Sequence, residues 1–126
     1  MNELQIVSYD QAKRLKDAGF DWPTTHFYKE NNEKLKSIWD SLLHGSYPQN
    51  WNVLFWPECI SAPTTDLALK WMRDVKGLLC HPAADSSGKW TGWHYSNDMW
   101  HHTDDFNSYE DAESELLDEL LKLIEQ

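Results

Sequence analysis

The chain reads as an α+β domain in which three to four amphipathic helices pack on a small antiparallel sheet. Three observations predict this. Apolar residues recur at helical spacing in four stretches, short runs rich in aromatic and branched residues stand between them, and Gly, Pro, Asn and Asp punctuate the boundaries. A chain of 126 residues has the length of one ordinary domain, and that size buries about two-thirds of the unfolded surface without disulfides or metal. A single domain over residues 1–126 is therefore expected.

Residues 4–7 alternate weakly, as a short edge strand would. Ser8 then opens a helix, because Ser8 and Gln11 have capping-box spacing and Val7 with Ala12 supplies the accompanying hydrophobic staple. Tyr9, Ala12 and Leu15 form its inner stripe, and Gly19 ends it. Pro23 holds Trp22 extended, and His26, Phe27 and Tyr28 read as a strand. Leu35, Ile38, Trp39, Leu42 and Leu43 then fall on one helical face, which predicts a helix over 32–44 closed by Gly45. Residues 46–50 have loop composition, and 51–56 have strand composition ended by Pro57.

The best-specified helix covers 63–76. Pro63 suits a first helical position, Asp66 meets the positive end of the dipole, and Leu67, Ala68, Trp71, Met72 and Val75 stack into one apolar stripe. Gly77 sits where a left-handed cap is wanted. A hairpin over 78–95 follows, with strands at 78–81 and 90–95 and a turn at Asp85, Ser86, Ser87 and Gly88. Trp90 and Trp93 face opposite ways in a regular strand, and a bulge at Gly92 would bring them to one side. Residues 99–102 form a further short strand. Ser108 caps the last helix, whose wide apolar face is Tyr109, Ala112, Leu116, Leu117, Leu120, Leu121 and Ile124, while Glu110, Asp111 and Glu113 favour the dipole.

The net charge of −10 is unevenly spread: residues 1–81 hold ten acids against nine bases, and residues 82–126 hold eleven against two. Between Asp98 and Glu119 there are nine carboxylates and no Lys or Arg. Such a surface repels nucleic acid and anionic membrane and attracts a basic protein. No apolar run approaches a membrane span and residues 1–10 lack the apolar core of a signal peptide, so a soluble, cytoplasmic protein is expected. Cys59 and Cys80 are the only cysteines and are expected as free thiols in a reducing compartment.

Catalytic patterns are sparse. No Gly-x-Ser-x-Gly elbow or Ser-x-x-Lys is present, and Gly88-Lys89 lacks the rest of a phosphate loop. Cys80, His81, His94, His101 and His102 with Asp104 and Asp105 supply metal-ligand types, but neighbours on a strand point to opposite faces. Cys80, His94 and His101 are the set that one ion could share across a hairpin. Eight tryptophans exceed what a core of this size hides easily, and Trp with Tyr dominates binding hot spots.

Ile6-Val-Ser-Tyr-Asp-Gln-Ala-Lys-Arg-Leu-Lys-Asp-Ala-Gly-Phe-Asp-Trp22 and Ile60-Ser-Ala-Pro-Thr64, the latter followed by Leu67-Ala-Leu-Lys-Trp71, resemble short uncharacterised proteins carried by phages and prophages of Bacteroides-type bacteria. A Gly-Lys-Trp hairpin and a Leu-rich last helix follow in those proteins as here. The likeness covers both ends and the centre and stops over residues 24–57. It implies a mobile-element origin and transfers no catalytic residue.

Together these observations predict a non-enzymatic protein-binding module without cofactor. Its concrete form is an anti-CRISPR-like inhibitor of a host nucleic-acid-handling defence system, with a basic host protein as partner. The expected partner-binding residues are Asp98, Asp104, Asp105, Glu110, Asp111 and Glu115, with Trp90, Trp93 and Trp100 as aromatic anchors. The alternative is a small metal-binding protein or metal-dependent enzyme built on Cys80, His94 and His101.

Overall fold

Every buried backbone amide needs a partner, and among the described residues the answer is three helices and two three-stranded antiparallel sheets. The computed structural model describes residues 5–29, 32–38, 48–53 and 59–125. The α+β class is as expected, with two small sheets in place of one. The residues divide into two compact units, Met1–Thr64 and Thr65–Gln126.

In the N-terminal unit, helix α1 (Tyr9–Asp17) begins at Ser8 with the full capping box, and Gly19 follows it at a φ of 98°. Strand β1 (His26–Lys29) lies between β2 (Asn32–Ser37) and β3 (Cys59–Ser61). Strand β2 overturns the expected helix over 32–44 where the residues are described. A few apolar residues at helical spacing do not outweigh pairing with β1, which Ile38 extends by donating its N–H to the Thr25 carbonyl at 2.9 Å. Residues 39–45, where that helix was expected to continue and close, lie outside the described ones.

Trp51 organises the core here. It sits in a 3-10 turn, Trp51–Val53, in place of the start of the expected strand 51–56, whose residues 54–56 are outside the described set. Its ring stacks on Phe27 at 4.1 Å between centroids, its Nε1–H donates to the Thr24 carbonyl at 2.9 Å, and its backbone N–H donates to Ser61 Oγ at 3.0 Å. The Asn52 side chain then bridges the Phe20 carbonyl and the Ser61 N–H, both at 2.8 Å. Of the expected edge strand at 4–7, residues 5–7 carry an isolated bridge between Ile6 and Thr64, and residue 4 lies outside the described ones.

In the C-terminal unit, helix α2 (Thr65–Asp74) is shorter than the expected 63–76. The stripe it buries is Ala68, Leu69, Trp71 and Met72, while Val75 lies beyond its end and is 52% exposed. Strand β5 (Trp90–Ser96) is central between β4 (Cys80–Ala84) and β6 (Met99–His102). The β5–β6 loop is two residues, Asn97 and Asp98, both at positive φ (53° and 64°), the geometry that matches the twist of a hairpin. Helix α3 (Tyr109–Ile124), capped by Ser108, covers one face of this sheet and buries Leu116, Leu117, Leu120 and Leu121.

Gly92 fixes how closely α3 can approach. A Cβ there would stand 2.7 Å from Leu116 Cβ and 3.1 Å from the Ala112 carbonyl oxygen. The β4–β5 register runs without interruption from Cys80↔His94 to Ala84↔Trp90, so no bulge occurs at Gly92. Trp90 and Trp93 therefore face opposite sides. Among the described residues no helix is long and apolar enough to cross a membrane, and Cys59 and Cys80 are buried free thiols.

Candidate functional site

Period-two alternation gives the β4–β5–β6 sheet two chemically different faces. Trp90, Gly92, His94 and Ser96 point toward α3, and Thr91, Trp93 and Tyr95 point away. A strand rises about 3.3 Å per residue and a helix about 1.5 Å, so two steps along β5 match roughly four to five along α3. Trp90 accordingly meets Tyr109 (5.1 Å between ring centroids), Gly92 meets Ala112 and Leu116, and His94 meets Glu119, its Nε2 lying 3.8 Å from Glu119 Oε1.

The face turned away from α3 carries five rings. Cross-strand pairing sets Trp93 between His81 and His102 and sets Tyr95 opposite Trp100. His81 and Tyr95 each contact Trp100 edge-on, at 5.7 and 5.4 Å, and Trp93 meets His102 at 4.9 Å. Tyr95 and Trp100 remain 37% and 45% exposed. Of the three expected anchors, Trp93 and Trp100 share this open face and Trp90 belongs to the α3 side.

The acidic residues divide similarly. Asp98 is exposed at the β5–β6 hairpin tip and Asp104 is exposed just past β6. Asp105 is also exposed but accepts from the Thr91 hydroxyl at 2.6 Å, so it has a structural duty. Glu110 and Asp111 are exposed in the first turn of α3, where the Asp111 N–H is capped by Ser108. Glu115 is half-buried, and burial, then Asp118 and Glu119, push its carboxyl upward in pKa, with Asp104 contributing. Asp104 and Glu115 are thus brought together, while Glu110 lies nearer Glu113.

Cys80, His94 and His101 fall in one cross-strand row, as the metal alternative requires. The His94 and His101 rings stack at 5.2 Å, but the Cys80 sulfur contacts the Leu69 carbonyl and Arg73, and burial pushes its thiol up. Among the described residues no three His, Cys, Asp or Glu side chains converge as a metal site.

Beside this row, between the β5–β6 hairpin and the end of α3, lies a cleft of about 540 Å³. His94, Ser96, His101, Glu119 and Lys122 are among the residues that line it. Burial holds His94 below the usual imidazole range, with His101 adding to the effect, and burial raises Glu119, opposed by Lys122.

Glu113 is the second feature that sequence reasoning missed. The sequence marks it only as a partner of the helix dipole, yet it is 3% exposed. Burial, then the hydrogen bond to Asp66, pushes its carboxyl up to about 8, and the same hydrogen bond holds Asp66 below its usual range. The Tyr109 hydroxyl also donates to Asp66 Oδ1 at 3.0 Å. A signal existed, since Glu113 is one turn before Leu117 and one turn after Tyr109 on the inner stripe. No family model, curated protein or solved structure matches the chain.

Proposed function

We propose that this chain is a non-enzymatic binding module whose C-terminal unit engages a basic protein. The observation that carries the reading is the open aromatic face of His81, Trp93, Tyr95, Trp100 and His102, bordered by the exposed carboxylates Asp98, Asp104 and Asp105. Aromatic side chains offer large contact area at low entropic cost, and carboxylates around them steer a cationic partner and reject nucleic acid and anionic lipid. The buried, raised thiols of Cys59 and Cys80 favour binding over nucleophilic catalysis. In its finer form, which leans on the resemblance to phage-carried proteins, the module is a cytoplasmic inhibitor that occupies the nucleic-acid-binding surface of a host defence protein.

The test is capture of a partner from host lysate, followed by direct binding of the purified partner with its own nucleic acid as competitor. Retention is expected to weaken at high salt and in the presence of nucleic acid. Trp100→Ala is expected to weaken binding by about 2 kcal/mol, roughly 30-fold. Unchanged affinity after joint reversal of Asp98, Asp104, Glu110 and Asp111 to Lys would sink the reading.

A further inference from the structure

The cleft between the β5–β6 hairpin and α3 concentrates unsatisfied polarity. His94 Nδ1, Ser96 Oγ and Glu119 Oε2 are buried and have no hydrogen-bond partner among the described residues, and all three residues line it. Each such group costs about 1–3 kcal/mol, so three around one cleft is an arrangement that a ligand would relieve.

The sign of that ligand follows from the hydrogen bonds already made. His101 Nε2 lies 3.1 Å from the Ser96 carbonyl, which can only accept. Nε2 therefore carries the proton, and the neutral ring presents Nδ1 as an acceptor. Glu119 adds a carboxylate, and neutral His94 keeps one acceptor nitrogen whichever tautomer it adopts. The lining thus asks for a cation rich in N–H donors.

Spacing selects among cations. A tetrahedral zinc site with bonds of about 2.0–2.1 Å needs its donor atoms within roughly 3.5 Å of one another. Here His94 Nε2 and Glu119 Oε1 are 3.8 Å apart, and the His94 and His101 rings are stacked with centroids 5.2 Å apart. A guanidinium suits that spread, because its planar fork sends five N–H groups outward and its face stacks on flat rings. Lys122 is the resident competitor, since it lines the same cleft and its charge acts on Glu119.

We propose that this cleft receives an arginine guanidinium from the basic partner, held by Glu119 and the imidazoles of His94 and His101. The assignment rests on the binding reading above, but its test needs no partner. N-acetyl-arginine-N-methylamide titrated into the whole chain should shift the His94 and His101 imidazole resonances with a Kd of about 1 mM. The citrulline analogue, of the same shape without the charge, should bind at least tenfold more weakly. Glu119→Gln should lose arginine binding tenfold with its aliphatic methyl spectrum unchanged, and Lys122→Ala should gain two- to fivefold.

Equal binding of arginine and citrulline analogues overturns the proposal, as do imidazole resonances that do not move. Stoichiometric zinc binding that displaces the arginine analogue also overturns it, in favour of a metal site. If the analogue binds but the surface charge reversals leave partner affinity unchanged, the binding surface is wrong and the cleft stands. If it does not bind while those reversals abolish retention, the cleft alone is wrong.

Discussion

Among the described residues, the two units treat several of their buried polar groups differently. In the N-terminal unit the buried polar side chains of Gln11, Thr24 and Ser61 are all committed: Gln11 closes the helix cap, the Thr24 hydroxyl donates to the His26 carbonyl at 2.8 Å, and Ser61 Oγ accepts from Trp51. In the C-terminal unit His94, Ser96, Glu113 and Glu119 each keep a buried side-chain atom with no partner among the described residues. Polar groups joined to a tryptophan hub specify one packing. Polar groups left open against a cleft or a helix pair lower stability and hold chemistry in reserve.

The strongest way to break this contrast is at the hub. Trp51→Ala removes the stack on Phe27 and the indole N–H bond to the Thr24 carbonyl, and should cost about 3–5 kcal/mol in urea denaturation. Next is Gly92→Ala, which should cost about 1–3 kcal/mol, because the atoms facing the new methyl include the Ala112 backbone oxygen at 3.1 Å and cannot swing aside. A loss below a few tenths of a kcal/mol would show that α3 shifts freely on the sheet.

Glu113 sharpens the comparison through pH. Its carboxyl is raised from 4.5 to about 8 in the folded state, so between those values the native chain holds a proton that the unfolded chain has released. This contribution is complete below about pH 4.5 and is lost as the pH climbs through about 8. Asp66 works in the reverse sense: its lowered pKa contributes stability above its ordinary value, which is lost as the pH falls through the folded value. Glu113→Gln should keep the donor to Asp66, flatten the decline toward alkaline pH and stabilise by about 1–3 kcal/mol at pH 9. A pH profile identical to that of the parent would remove Glu113 as its source.

The smallest effects are at the caps. Ser8→Ala breaks a reciprocal box, in which Ser8 N–H donates to Gln11 Oε1 at 3.0 Å and Gln11 N–H donates to Ser8 Oγ at 3.1 Å. Ser108→Ala removes only the bond from the Asp111 N–H at 3.1 Å. Both should cost about 1 kcal/mol, with the first slightly larger, as thermal unfolding of the two variants would show.

Local chemistry made much of the fold legible. Ser8 and Ser108 name their helices because a cap acts within four residues, and the β4–β5 hairpin follows from alternation and turn residues. Leu35 and Ile38 misled because their spacing suits a helix, while β1, the strand that claims them, is itself held on its other edge by β3 from far along the chain. The site was legible in part. The opposite facing of Trp90 and Trp93 follows from strand alternation, but Glu119 and Glu113 read as two more members of an acidic run.

By itself, then, the sequence determined the starts of α1 and α3, the β5 alternation and the excess of negative charge after residue 82, all properties of neighbours along the chain. Only the tertiary structure decided that α3 runs along β5 in the register set by Gly92. That register carries Glu119 to His94, and the helix pair α2–α3 carries Glu113 to Asp66. Burial by a distant segment changes what a carboxylate is, because the cost of its charge depends on how much water remains around it.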